Sequence, residues 1–177
     1  MVDPVDVSPP PPARPRRGRV AGAVVAVGLA GTLLASCGGG PAVDRKKAPG
    51  EIQHAFGVLF NFADRSVDKK VAVVEDGSSL RQALTEGLSS PLAALAKGAK
   101  VSRVDLLSES SCAAAAEKAP CARATYDVLG PQGPVFSGAK GYAVFVDGTW
   151  LVAKSTICGL LTTMNATLGK KGTPPGC

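Results

Sequence analysis

The chain opens its folded part with helical spacing and closes it with strand alternation. Ile52, Phe56, Leu59 and Ala63 recur every three or four residues, with Ala55 and Phe60 beside them. That spacing predicts an amphipathic first helix of about three turns, starting near Glu51. Val67 to Val74 is ambiguous: its place argues for a short second helix, its valines for a strand. Ser79-Leu80-Arg81-Gln82 has the form of a capping box, with Leu80, Leu84 and Leu88 on one face of the helix it would start. Ser90-Pro91 restarts a helix by the N-cap and first-turn proline rule, and Gly98 is placed to end it.

Beyond Gly98 the period shortens. Val101–Leu107, Ala122–Leu129, Val135–Val146 and Thr149–Ser155 read as four strands. Ala122, Ala124, Tyr126 and Val128 alternate with Arg123, Thr125 and Asp127, as in a half-buried strand. Asp147-Gly148 is a tight-hairpin signal. Gly130-Pro131-Gln132-Gly133-Pro134 punctuates the turn before it. Helices first and antiparallel strands afterwards predict an α+β fold, with N-terminal helices packed on a curved four-stranded antiparallel sheet. No internal repeat is visible.

The segment before the folded part changes the reading of everything else. Arg14, Arg16, Arg17 and Arg19 precede an uncharged, mostly apolar run from Val20 to Ala35. That is the order of a cleaved export signal, and the run is short against the roughly 20 apolar residues of a bilayer span. Leu34-Ala35-Ser36-Cys37 then forms a lipobox. Its cysteine resembles the acceptor of bacterial lipoproteins, which takes a diacylglycerol before cleavage between Ser36 and Cys37. The expectation is a palmitate-type lipid anchor on Cys37 and a place on the extracytoplasmic face of the cell membrane. Pro15 and Gly18 fit a twin-arginine motif badly, so the general secretory route is expected. Residues 1–13 are proline-rich and read as a cytosolic extension, or as a start codon assigned too early.

The expected organisation is therefore an N-terminal extension and signal over 1–36, a lipidated cysteine and flexible tether over 37–50, an α+β domain over 51–168 and a tail over 169–177. Gly38-Gly39-Gly40 and two prolines keep the tether from folding. As flexible coil it reaches about 20 Å. Removing the leader, with four basic and two acidic residues, lowers the formal net charge from +6 to +4. So mild a charge, scattered singly, does not argue for nucleic acid.

Four cysteines remain beyond Cys37: Cys112, Cys121, Cys158 and Cys177. An even number outside the cytoplasm suggests two disulfides, with three connectivities open. Cys112 and Cys121 flank a short loop between two predicted neighbouring strands, which favours that pair and leaves Cys158 with Cys177. The second bond would pin a tail rich in glycine and proline. Their spacings fit no metal pattern, and no metal or cofactor is expected.

The run Asp147-Gly148-Thr149-Trp150, then Val152, Lys154 and Cys158, resembles the C-terminal signature of the actinobacterial low-molecular-weight antigen lipoproteins. Gly57-Val58-Leu59 and the segment from Lys70 to Gly77 are similar too, and the likeness covers most of 51–160. Gly148-x-Trp150 with Val152 beyond it is a weaker pattern, shared across nuclear-transport-factor-two-like folds. The resemblance implies a sheet wrapped round a long first helix as a cone with an internal hollow, an envelope or secreted location, and no established chemistry. The Cys112–Cys121 loop and the tail cysteine depart from the family's pattern.

Candidate chemistry is sparse. His54 is the single histidine, so a Ser-His-Asp triad would have to be built on it, and no Gly-x-Ser-x-Gly elbow accompanies it. Asp105 and Asp127 lie on predicted strands and would face one another or the hollow. Tyr126 and Asp127 are strand neighbours and point to opposite faces. Two functions follow. In the first, the domain is a non-enzymatic binding or accessory module, with Phe56, Phe60, Tyr126, Tyr142 and Trp150 lining a pocket for a hydrophobic small molecule or backing a surface for an envelope protein. The alternative is an isomerase- or hydratase-type enzyme using an acid in the hollow. An ionisable side chain projecting into the hollow separates the two.

Overall fold

A computed structural model describes residues 42–177. Helix α1 (Ala48–Leu59) starts within the segment expected to be tether, three residues before Glu51, with a proline in its first turn. It stops at Leu59, so Ala63 falls outside it and is exposed. Ile52, Ala55, Phe56 and Leu59 form its buried face.

The ambiguous valine segment satisfies both of its tendencies. Val67–Ala72 is helix α2, capped by Ser66, and Val74 then makes a parallel bridge to Val152. The capping box does not form. A 3-10 turn (Gly77–Leu80) precedes α3 (Arg81–Leu88), and the Ser79 hydroxyl donates back to the Asp76 carbonyl at 2.8 Å. Helix α4 (Pro91–Leu95) has the expected Ser90 cap, which accepts from the Ala93 amide. Gly98 is not its stop: it is the first residue of strand β1 (Gly98–Leu106).

Strands β2 (Cys121–Gly130), β3 (Gly133–Val146) and β4 (Thr149–Val152) complete an open antiparallel sheet in the order β1-β2-β3-β4. Asp147 and Gly148 carry φ of 49° and 84°, the left-handed pair that a two-residue hairpin needs. The fold is α+β, with two helices the pattern reading misses. Between β1 and β2, where a plain loop is expected, lies α5 (Glu109–Ala114), capped by Ser108. The last strand ends at Val152, and Ser155 belongs instead to α6 (Lys154–Thr167).

Burial follows the strand parity. Ala122, Ala124, Tyr126, Ala143, Trp150 and Val152 turn one face of the sheet toward α1. The Tyr126 ring sits 5.1 Å from Phe56 and 5.2 Å from Phe60. On the opposite face Cys112, Cys121, Val144 and Ala153 make a second, smaller core beneath α5. Each fully buried side chain of this size contributes roughly 1.5–3 kcal/mol, so the aromatic cluster on α1 and β2 dominates the packing energy.

Candidate functional site

Strand β4 is too short to cover β3. It pairs only with Ala143–Val146, so among the described residues the earlier part of β3 has β2 on one side and no strand on the other. Helix α6 takes that place. Its first turn is tied to the strand edge at Tyr142: the Tyr142 amide donates to Thr156 Oγ1 at 2.6 Å, Thr156 Oγ1 donates to the Tyr142 carbonyl at 3.2 Å, and the Ala153 amide reaches the same carbonyl at 2.9 Å. Gly141 makes the approach possible. A Cβ there would stand 2.6 Å from Thr156 Cγ2 and 3.2 Å from the Tyr126 ring.

Between α6 and the open flank of β3 lies a cleft of about 540 Å³. Its walls are mostly apolar, with Phe60, Tyr126 and Val128 on one side and Leu160 and Met164 on the other. That size is within the range of small-molecule sites. Along β3 it runs from Phe136 to Tyr142, roughly 17–20 Å of strand at the usual rise. The two ends differ. Leu95, Val135 and Phe136 crowd one end and are 56%, 48% and 61% exposed, large apolar side chains left in water. Glu117, Ser155 and Tyr142 line the other.

Glu117 is placed by the first disulfide. Cys112 and Cys121 lie at bonding distance, with α-carbons 5.8 Å apart. The Glu117 amide donates to the Cys112 carbonyl at 2.9 Å, and its side chain is buried. The Ser155 hydroxyl donates to Glu117 Oε1. Burial pushes the carboxyl's pKa above the ordinary glutamate value; the Ser155 hydrogen bond works against that shift, and the nearby charge of Glu75 adds to it. Burial likewise raises the pKa of the Tyr126 phenol.

Of the five aromatic residues expected to line a pocket, Phe60, Tyr126 and Tyr142 do so. Phe56 is fully enclosed beneath them, and Trp150 packs in the main core with its ring 5.4 Å from Phe145. Among the described residues, the Trp150 Nε1 has no hydrogen-bond partner. The two strand aspartates do not meet. Asp105 pairs with Arg103 at 2.7 Å and Arg123 at 3.4 Å, and these contacts hold its pKa down. Asp127 accepts from the Gly138 amide at 2.8 Å, across the irregular part of the β2–β3 ladder. His54 is exposed on α1. Among the described residues, the acid lining the cleft is Glu117, which no sequence motif marks.

Cys158 and Cys177 also lie at bonding distance, with α-carbons 5.5 Å apart. Ser36 and Cys37 fall outside the described residues. Among the described residues, no cluster of three or more His, Cys, Asp or Glu side chains is placed to hold a metal ion, and no helix is long and apolar enough to cross a membrane.

The profile of one family, described as the low molecular weight antigen MTB12, C-terminal domain, matches residues 46–167. The match runs from two residues before α1 to the last residue of α6. It therefore contains the whole cleft and stops short of the tail that carries Cys177. No curated protein and no solved structure shows a significant match.

Proposed function

The chain belongs to the family of the low molecular weight antigen MTB12 C-terminal domain, and from that premise we propose that it is a lipid-anchored cell-envelope protein whose domain binds a hydrophobic small molecule without transforming it. One observation carries the reading: an apolar cleft of about 540 Å³ with Leu95, Val135 and Phe136 exposed at one end. Exposed side chains of this kind cost free energy unless something covers them, and a hydrophobe entering the cleft would bury them along with its own surface. A protein of the envelope is the other occupant this end would suit. The lipobox Leu34-Ala35-Ser36-Cys37 supports the anchor, and two acyl chains on Cys37 would hold the chain at the membrane.

Native mass spectrometry of the protein purified from its own envelope tests the binding function. A small apolar molecule should travel with the folded chain and leave on activation. A bare chain that also fails to take up a neutral fluorescent hydrophobe defeats the proposal. The anchor is tested separately: Cys37→Ala should release the protein from the membrane fraction, and continued pelleting refutes it.

A second reading rests on Glu117. A buried carboxyl with a raised pKa in an apolar cleft is the kind of group an isomerase or hydratase uses as its acid or base. Turnover of a bound hydrophobe that stops in Glu117→Gln would favour it over simple binding.

A further inference from the structure

The polar end of the cleft constrains what the apolar part receives. Glu117 is only 9% exposed. Its Oε1 is taken by the Ser155 hydroxyl, while Oε2, which is not sealed inside the protein, has no hydrogen-bond partner among the described residues. No cation pairs with this carboxyl there. Lys118, the next residue, turns instead to Glu75 at 3.0 Å. Glu75 also accepts from the Lys154 amide, and as a second carboxylate it adds negative charge near Glu117. Lys140 lines the cleft too, but its side chain lies in water, where a single rim cation contributes little.

A buried carboxyl with one free oxygen selects its partner. A carboxylate or phosphate head would set like charge against like charge in a partly dry site, which disfavours it. A neutral hydroxyl suits the site in both protonation states, donating to the carboxylate or accepting from the acid. The opposite end, roughly 17–20 Å away along β3, is apolar and open.

We infer that the cleft is an end-on site for an uncharged amphiphile of the long-chain alcohol class, with its hydroxyl on Glu117 Oε2 and its chain running along β3 toward Leu95, Val135 and Phe136. Ser155 is then the residue that orients the carboxyl, and the Cys112–Cys121 loop the support that holds it. This rests on the hydrophobe-binding function and adds the head-group chemistry.

The test is displacement of phenylnaphthylamine, a neutral fluorescent hydrophobe, from the whole purified protein at mildly alkaline pH. Tetradecanol and tetradecanoate are compared as competitors. The alcohol should displace the probe at a concentration about tenfold lower, or more. An ionised head also partitions less into any apolar site, so the readout is the dependence of that gap on Glu117. Glu117→Gln should narrow it severalfold, because the amide can donate to a carboxylate, whereas Lys140→Ala should leave it wide. Near-ultraviolet circular dichroism verifies that both variants keep native packing. Equal displacement by the two competitors, or a gap unchanged in Glu117→Gln, overturns the head-group assignment alone. A protein that binds neither the probe nor the competitors overturns the hydrophobe-binding function and this inference with it.

Discussion

Thr156 and Tyr142 hold each other by both backbone groups of the tyrosine: the amide of Tyr142 donates to Thr156 Oγ1 at 2.6 Å and its carbonyl accepts from the same hydroxyl at 3.2 Å. One side chain thus does for the edge of β3 what another strand would otherwise do. It also fixes where α6 leaves the sheet, and hence where the cleft begins. Thr156→Val keeps the shape and removes both bonds. The Tyr142 amide then lacks its partner in a half-buried place, a loss of about 1–3 kcal/mol. Denaturant unfolding should show the midpoint falling with little change in slope. Probe affinity should weaken as well, since α6 loses its registration on β3. A midpoint equal to wild type removes the clamp from the account.

Lys70 closes the other end of the core. Its ammonium donates to the carbonyls of Val58, Leu59 and Asn61 at 3.2, 3.0 and 2.9 Å, where α1 ends without a basic residue in its own last turn. A cation there satisfies orphan carbonyls and opposes the negative end of the helix dipole. Lys70→Met should destabilise by about 2 kcal/mol, because the carbonyls lose donors that methionine cannot supply. Burial holds the Lys70 pKa below the usual lysine value, and the charge of Asp64 only partly opposes that. The unfolded chain therefore binds the proton more tightly. Stability from this group rises as pH climbs through the interval between the folded value and the ordinary lysine value of 10.5. Melting curves of wild type minus Lys70→Met should show the difference growing across that interval; a constant difference contradicts it.

Much of the sheet is legible because its signals are local. The alternation from Ala122 to Val128 and the Asp147-Gly148 turn set the face and the hairpin without help from distant contacts. The first helix is legible for the same reason. Helix α6 shows where local reading fails. Trp150 and Val152 alternate with Thr149 and Leu151 as a strand does, yet the backbone turns at Ala153 with no side-chain cap to mark the change. The stripe Ile157, Leu160, Leu161 and Met164 carries the helical signal a few residues later. Ser79 looks like a cap, but a 3-10 turn carries its hydroxyl back to Asp76 instead. The cleft is less legible still. Periodicity places Phe56 and Trp150 on buried faces, but which part of a face is packed and which is left open depends on where α6 lies. Glu117 owes its role to Ser155, 38 residues away, and to a disulfide-bound loop. No nearby spacing encodes either contact.

Glu117 should leave a signature in the pH dependence of folding. Its folded pKa is raised, chiefly by burial, so the native state holds the proton more tightly than the unfolded chain. The stability it contributes is fully present below the ordinary glutamate value of 4.5 and is lost as pH rises through the folded value. Glu75 adds to the shift, and the Lys118 ammonium beside Glu75 tempers the charge of that neighbour. Glu117→Gln cannot titrate. Its stability should overtake that of the wild type as pH climbs from the acid side toward neutrality, which chemical unfolding at a series of pH values measures directly. Parallel curves for the two proteins would mean that the carboxyl is solvated and would weaken the polar end of the cleft.

The tail is bound to the domain by Cys158–Cys177, which closes a 19-residue separation from the first turns of α6 to the last residue. The tail has no helix or strand, yet Pro174 within it is buried, and the Gly176 backbone approaches Ser79 and Leu80 closely. The covalent link and this packing both hold it. In the chain-entropy model a loop of this length is worth roughly 3 kcal/mol. Because the matched family domain ends at Thr167, the staple is an addition to a body that already contains its core. Replacing both cysteines with serine should lower the unfolding free energy by about that amount while leaving one cooperative transition. Trypsin should then cut after Lys170 or Lys171 much faster than in the oxidised protein, since both are exposed and the chain beyond them is no longer held. Cleavage at an unchanged rate, with an unchanged midpoint, would show that the tail's own packing fixes it without the bond.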